Sequence, residues 1–272
     1  LLLGLAACGA EDVDRETRDT ARSGDASRSA GENPHLRIVR LLAEGEAVFG
    51  IFSGDHTPRA GAAMAENRET DFVFYSLESG PFDLDAMAAY AEAMEEAAGD
   101  RGTHPLALRI PPIRDGADEA RERVRLGLDA GVAAIVFPHV ESAEDARIAV
   151  EATRASGLWP LDPDGPHVNM LIVEDRTGVE NAPAIASTPG VSVVFAGPGD
   201  LSRAYDRDAE AVEEATQTIL AACLEAGVPC GITAGADDIA DRLEQGFRVI
   251  IVTEPEALAV GRDAAGRTDG GG

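Results

Sequence analysis

Between residues 47 and 252 the chain repeats one pattern eight times. A short β-branched or aromatic run ends in a Gly, Pro or polar residue, and an Ala/Glu/Arg-rich stretch of helical period follows. The runs are Ala47–Ser53, Asp71–Leu77, Pro105–Ile110, Val132–Phe137, Val168–Val173, Val191–Ala196, Val228–Thr233 and Arg248–Val252. Several, such as Val191-Ser192-Val193-Val194-Phe195 and Val249-Ile250-Ile251-Val252, are almost continuously apolar. Such runs suit strands covered on both faces, as in a parallel sheet. Ser142-Ala143-Glu144-Asp145 reads as a capped helix start, Asp83 precedes another helix, and Asp237-Asp238 opens a third. Gly131, Gly227 and Gly246 stand where helices stop before the next strand. Eight βα units in about 215 residues predict an α/β fold, a (β/α)8 TIM barrel over residues 34–262, with residues 34–45 as an extra N-terminal helix. A doubly wound open sheet uses the same units and is the alternative; the count of eight favours the barrel.

Charge narrows the function. The chain carries 49 acidic against 23 basic residues, a formal charge of -26, and such a surface repels phosphate backbones, so nucleic acid is not an expected partner. All 23 basic residues are Arg. Without a Lys there is no ε-amine for a Schiff-base aldolase, a pyridoxal-phosphate enzyme or a Walker-type phosphate loop.

The first residues read as residues 1–8 of a truncated secretory signal: Leu1-Leu2-Leu3-Gly4-Leu5 is too short to span a bilayer, and Leu5-Ala6-Ala7-Cys8 resembles a lipoprotein lipobox with Cys8 as the lipidated residue. Residues 9–33 hold hardly an apolar side chain and read as a disordered acidic tether, and residues 263–272 as a flexible tail. The expected location is the cell envelope, held only by a lipid anchor; the alternative is the cytoplasm, with Cys8 fortuitous. Cys223 and Cys230 read as buried core thiols.

In a barrel the reactive groups stand at the C-terminal strand ends. There the sequence offers Gly54-Asp55-His56 after run one, Glu78-Ser79-Gly80-Pro81 after run two, Arg109 at run three, Glu174 after run five and Gly197-Pro198-Gly199-Asp200 after run six. Glu174 and Asp200 end adjacent strands, which lie about 4.8 Å apart, so both can reach one divalent cation. Gly197, Pro198 and Gly199 let backbone approach an anion. Arg109 adds a fixed positive charge, and together these suit a small 2-keto acid whose enolate is stabilised by a metal and Arg109. Bland roles compete: strand-end carboxylates cap helices, Gly-Pro-Gly-Asp makes an ordinary turn, and Arg109 can be an ion-pair partner. His139 is expected to orient a loop, and His35, His104 and His167 to be solvated.

With these residues in view, the sequence resembles the HpcH/HpaI aldolase family, metal-dependent class II pyruvate aldolases related to the citrate lyase β subunit. The resemblance rests on Phe72–Pro81, Leu106–Pro111, Leu128–Ala146 and above all Met170–Ser202, with Val179-Glu180-Asn181-Ala182-Pro183-Ala184-Ile185-Ala186 and Gly197-Pro198-Gly199-Asp200-Leu201-Ser202. It implies an oligomeric barrel that makes or breaks a carbon–carbon bond next to pyruvate. It also implies Glu174 and Asp200 as ligands of Mg²⁺ (or Mn²⁺ or Co²⁺), Arg109 on the keto oxygen, and the backbone around Gly197 and Gly199 on the carboxylate.

Three segments depart from the family. Its Asp-x-Glu-His segment after strand two is Ser76-Leu77-Glu78-Ser79 here, so both members of a proton-transfer dyad are hydroxyls. Its Gln two residues before the metal-binding Glu is Ile172, and the loop before strand five is cut to Ser156–His167. With Ser79 in place of the base, a water or His56 is expected to take over. Two other readings stay open. One is a lipid-anchored homologue that binds a keto acid without turning it over. The other is a scaffold, in which Glu174 and Asp200 diverge or pair with arginines.

Overall fold

A computed structural model describes residues 36–267. The described residues all lie in one compact unit. Cys8, the expected tether at 9–33 and residues 268–272 of the expected tail lie outside the described residues.

The chain order begins α1 (Leu36–Ala43), β1 (Val48–Phe52), α2 (Pro58–Met64), β2 (Phe72–Ser76), α3 (Leu84–Ala98), β3 (Leu106–Arg109), α4 (Ala117–Asp129), β4 (Ala134–Phe137) and α5 (Ala143–Arg154). It continues β5 (Val168–Val173), α6 (Arg176–Glu180), α7 (Ala182–Ala186), β6 (Val193–Ala196), α8 (Pro198–Ala204), α9 (Ala209–Ala226), β7 (Cys230–Ala234), α10 (Ile239–Gln245), β8 (Val249–Val252) and α11 (Glu256–Ala264). The strands are all parallel and close on themselves, β8 pairing with β1, so the fold is the (β/α)8 barrel rather than the open sheet.

Alternation along each strand sorts the core into two layers. Inward side chains, among them Val48, Phe72, Phe74, Val136, Met170, Phe195 and Ile251, join Ile38, Val39, Leu41 and Leu42 of α1 in one buried cluster. The extra helix therefore plugs the N-terminal end of the barrel. Outward side chains, such as Phe49, Tyr75, Leu108, Phe137, Leu171 and Ile250, meet the helices in the other cluster. Burying each large apolar side chain contributes about 1.5–3 kcal/mol.

Two glycines make room in the lumen. A Cβ on Gly50 would sit 2.2 Å from the Phe72 ring, and one on Gly231 2.2 Å from that of Phe195. Helix starts and stops follow local chemistry: Ser142 Oγ accepts the Asp145 N–H, Asp83 accepts that of Ala86, and Gly227 closes α9 with φ 67°. Cys223 and Cys230 are buried free thiols, as their surroundings suggested. The tail needs correcting, because α11 runs to Ala264 and Arg267 is fixed to Asp71 at 2.6 Å, so the folded body extends past residue 262. His104 is not solvated: it is 6% exposed, and burial pushes its imidazole down to about 4. No helix among the described residues is long and apolar enough to cross a membrane.

Candidate functional site

The C-terminal strand ends gather one polar cluster above the apolar lumen. Ser76 pairs in register with Arg109 on the neighbouring strand, and the Arg109 Nε donates to Ser76 Oγ at 3.0 Å. The same guanidinium lies 3.0 Å from Glu78 Oε2 and 5.2 Å from the centroid of the Phe74 ring, so its direction is fixed on three sides. Glu78 continues the inward alternation of Phe72, Phe74 and Ser76 one step beyond β2.

Glu174 directly follows β5 and is 3% exposed. Its Oε1 accepts the backbone N–H of His139 at 2.8 Å. The absent side chain of Gly197 leaves it space, since a Cβ there would lie 2.7 Å from Glu174 Cβ and Oε2. Burial pushes the Glu174 carboxyl up to about 8; the His139 N–H and the charge of Arg109 oppose this, and the charges of Asp200 and Glu78 add to it. His139 holds a left-handed backbone, φ 51°, rare for a residue with a side chain. Its Nδ1 lies 3.4 Å from Glu174 Oε1 and its Nε2 3.6 Å from Glu78 Oε1. Nδ1 is buried without a hydrogen-bond partner.

The residues singled out from sequence are not all gathered here. Arg109 and Glu174 belong to the cluster. Asp200 lies in the first turn of α8 and accepts from Arg203 Nε at 3.0 Å, although its charge is felt at Glu174. An arginine partner is the mark of the scaffold reading for Asp200, whereas Glu174 faces His139 and Glu78. Gly197 caps α8, Pro198 and Gly199 form its first turn, and a Cβ on Gly199 would meet nothing within 4 Å. Ser79 is exposed. His56 is exposed as well, its ring stacked 4.0 Å from that of Tyr75, whose side chain belongs to the helix-facing layer. Burial lowers the His56 pKa, and the Asp55 charge opposes the shift.

Sequence reasoning passed over Glu78, Ser76 as an Arg109 partner, and the ring of His139. Alternation along β2 pointed to the first two; nothing local revealed the turn that swings His139 inward. Ligand atoms of Glu78, His139 and Glu174 lie within 4.8 Å of one another. Two carboxylates and an imidazole, with an orphaned ring nitrogen among them, are a donor set that fits a divalent ion. Concavities of about 530 Å³ beside Gly45, Glu46 and Arg248 and about 210 Å³ beside Met94, His104 and Gly131 lie at the opposite, N-terminal end of the strands.

A closed parallel barrel with its charged cluster at the C-terminal mouth is the architecture of (β/α)8-barrel proteins that build their sites from strand ends. The HpcH/HpaI aldolase/citrate lyase family matches residues 50–252, and the chain belongs to that family. It is 30% identical over 245 residues to a hydroxypyruvate/pyruvate aldolase of Delftia acidovorans, covering 81% of this chain and 86% of the relative. It is 34% identical over 149 residues to a 5-keto-4-deoxy-D-glucarate aldolase of Klebsiella pneumoniae, covering 46% of this chain and 58% of the relative. Its fold matches the crystal structure of a family protein from Burkholderia cenocepacia J2315 with a TM-score of 0.66 and 24% identity, over 86% of this chain and 99% of the other.

Proposed function

We propose that this chain is a divalent-metal-dependent carbon–carbon lyase of aldolase type, acting on a 2-keto acid that yields pyruvate or a pyruvate-like product. The observation that carries the reading is Arg109, held by Ser76, Glu78 and Phe74 beside the buried Glu174. A guanidinium already oriented stabilises negative charge developing on the keto oxygen without first reorganising. Glu174 and, once released from Arg203, Asp200 are the carboxylates proposed to hold the ion, Mg²⁺ by hardness or Mn²⁺ or Co²⁺. When bound, the ion supplies a Lewis acid beside the keto and carboxylate oxygens. Backbone at Gly197, Pro198 and Gly199 is proposed to receive the substrate carboxylate. The related aldolases of Delftia acidovorans and Klebsiella pneumoniae support the substrate class by their names.

The full chain is expected to release pyruvate from 4-hydroxy-2-keto acids in the presence of Mg²⁺, Mn²⁺ or Co²⁺. Arg109→Ala should lower the rate about 10²–10³-fold, and Glu174→Ala should abolish it. A second reading, a homologue that binds a keto acid without turnover, is favoured by the hydroxyls at Ser76 and Ser79 and by the stacking of His56 on Tyr75. Calorimetric binding of oxalate with metal, but no pyruvate release, would establish that reading. Neither binding nor release would overturn both.

Assembly as a homo-oligomer and anchoring through Cys8 complete the proposal. Cys8→Ala is expected to move the protein, expressed behind a full secretory signal, from the membrane fraction to the soluble one. Unchanged partition would remove the anchor.

A further inference from the structure

We propose that His139 is a ligand of the ion through Nδ1, with Glu78 as the carboxylate that orients the ring from its Nε2 side. The inference rests on the metal-dependent reading above and adds to it a nitrogen donor.

Three features of the fold converge on this imidazole. Its backbone takes the left-handed conformation at φ 51°, a region that few residues with a side chain occupy outside Asn, Asp and His, and this turn sets where the imidazole lies. That conformation directs the His139 N–H to Glu174 Oε1 at 2.8 Å and leaves the ring between two carboxylates. Glu78, itself held by Arg109 at 3.0 Å, stands 3.6 Å from Nε2, and Nδ1 stands 3.4 Å from Glu174 Oε1 with no hydrogen-bond partner of its own. Where imidazole binds a metal, its other nitrogen commonly faces a carboxylate, and Glu78 stands on that side of this ring. The loop is held in place: Val140 N–H donates to Ile172 O at 2.9 Å, and Asn181 Nδ2 donates to Glu141 O at 2.8 Å.

An imidazole in the donor set changes which ion the site prefers. Mg²⁺ favours oxygen donors, whereas Mn²⁺ and, more strongly, Co²⁺ accept nitrogen. The full chain should therefore bind Co²⁺ at least about tenfold more tightly than Mg²⁺ by calorimetry without substrate. His139→Asn, which tolerates the left-handed backbone, should remove most of that preference and change Mg²⁺ affinity less than threefold. Glu78→Gln should weaken Co²⁺ binding about 10–100-fold by loosening the ring.

Pulsed electron paramagnetic resonance of the Mn²⁺-loaded protein supplies a direct readout. Imidazole nitrogen coupling should be present in the wild type, and both the coupling and the tight binding should be lost in Glu174→Ala. The wild-type spectrum decides even if a variant fails to fold. Tight Mn²⁺ binding that depends on Glu174 but shows no nitrogen coupling overturns the role of His139 and leaves the aldolase reading standing. Absence of any Glu174-dependent metal binding overturns both.

Discussion

Glu174 shows what burial does to one residue. An ordinary glutamic acid titrates near 4.5, and here burial, ahead of every neighbouring charge, pushes the group up to about 8. Between those values the folded protein keeps a proton that the unfolded chain has released. This contribution to stability is therefore complete below pH 4.5 and is lost as pH rises through about 8. Without metal, the wild type should lose stability between pH 5 and pH 9 relative to Glu174→Gln, whose amide cannot titrate. Urea midpoints across that range test it, and parallel curves for the two proteins would refute it. Added divalent ion should protect the wild type most at the alkaline end, because only the carboxylate binds metal.

At the scale of the strand, the lumen is packed by pairing large rings with missing side chains. Phe195 on β6 lies against Gly231 on β7, its partner in register, and Phe72 on β2 against Gly50 on β1. A Cβ on Gly231 would fall 2.2 Å from Cδ2 of the buried Phe195 ring, which would have to shift within the packed lumen. Gly231→Ala is expected to destabilise by about 1–3 kcal/mol, the usual cost of overpacking. Combining it with Phe195→Leu should cost less than the two single changes added together, because the smaller side chain vacates the clash. Chemical denaturation of the four proteins completes the cycle, and strict additivity would show that the contact is not the cause.

Over the whole molecule, Asp71 joins parts of the chain that are far apart in sequence. Fully buried, it accepts the Phe49 N–H at 2.9 Å and donors from Arg37 on α1 at 3.0 Å and from Arg267 beyond α11 at 2.6 and 2.9 Å, with Arg262 at 3.5 Å. Burial alone would raise its pKa; Arg267, Arg37 and the Phe49 N–H outweigh that and hold the group low. The plug helix, the start of β2 and the segment just after α11 are thus locked at the N-terminal end, opposite the mouth. Asp71→Asn removes the buried anion on which these guanidinium groups converge, so it should cost about 3–5 kcal/mol in the denaturant unfolding free energy. A loss below about 1 kcal/mol would refute the role of the buried charge in holding these segments together.

The strand and helix order, the closed barrel and the gathering of polar residues at the C-terminal strand ends were legible in the sequence. They follow from local periodicity, from Gly stops and from a count of βα units, none of which needs long-range contacts. The positions of Glu174 and Arg109 were legible for the same reason, since each stands at the end of its strand. The partners were decided by tertiary structure. Asp200, one turn into α8, meets Arg203 on its own helix, and His56 stacks on the helix-facing side of β2. Glu78 and His139 reach Glu174 from two other strand ends because the barrel closes and a left-handed residue turns His139 inward. Sequence spacing fixes which strand end a residue occupies; which side chains converge above the lumen depends on strand stagger and loop backbone, and these exist only once the barrel has formed.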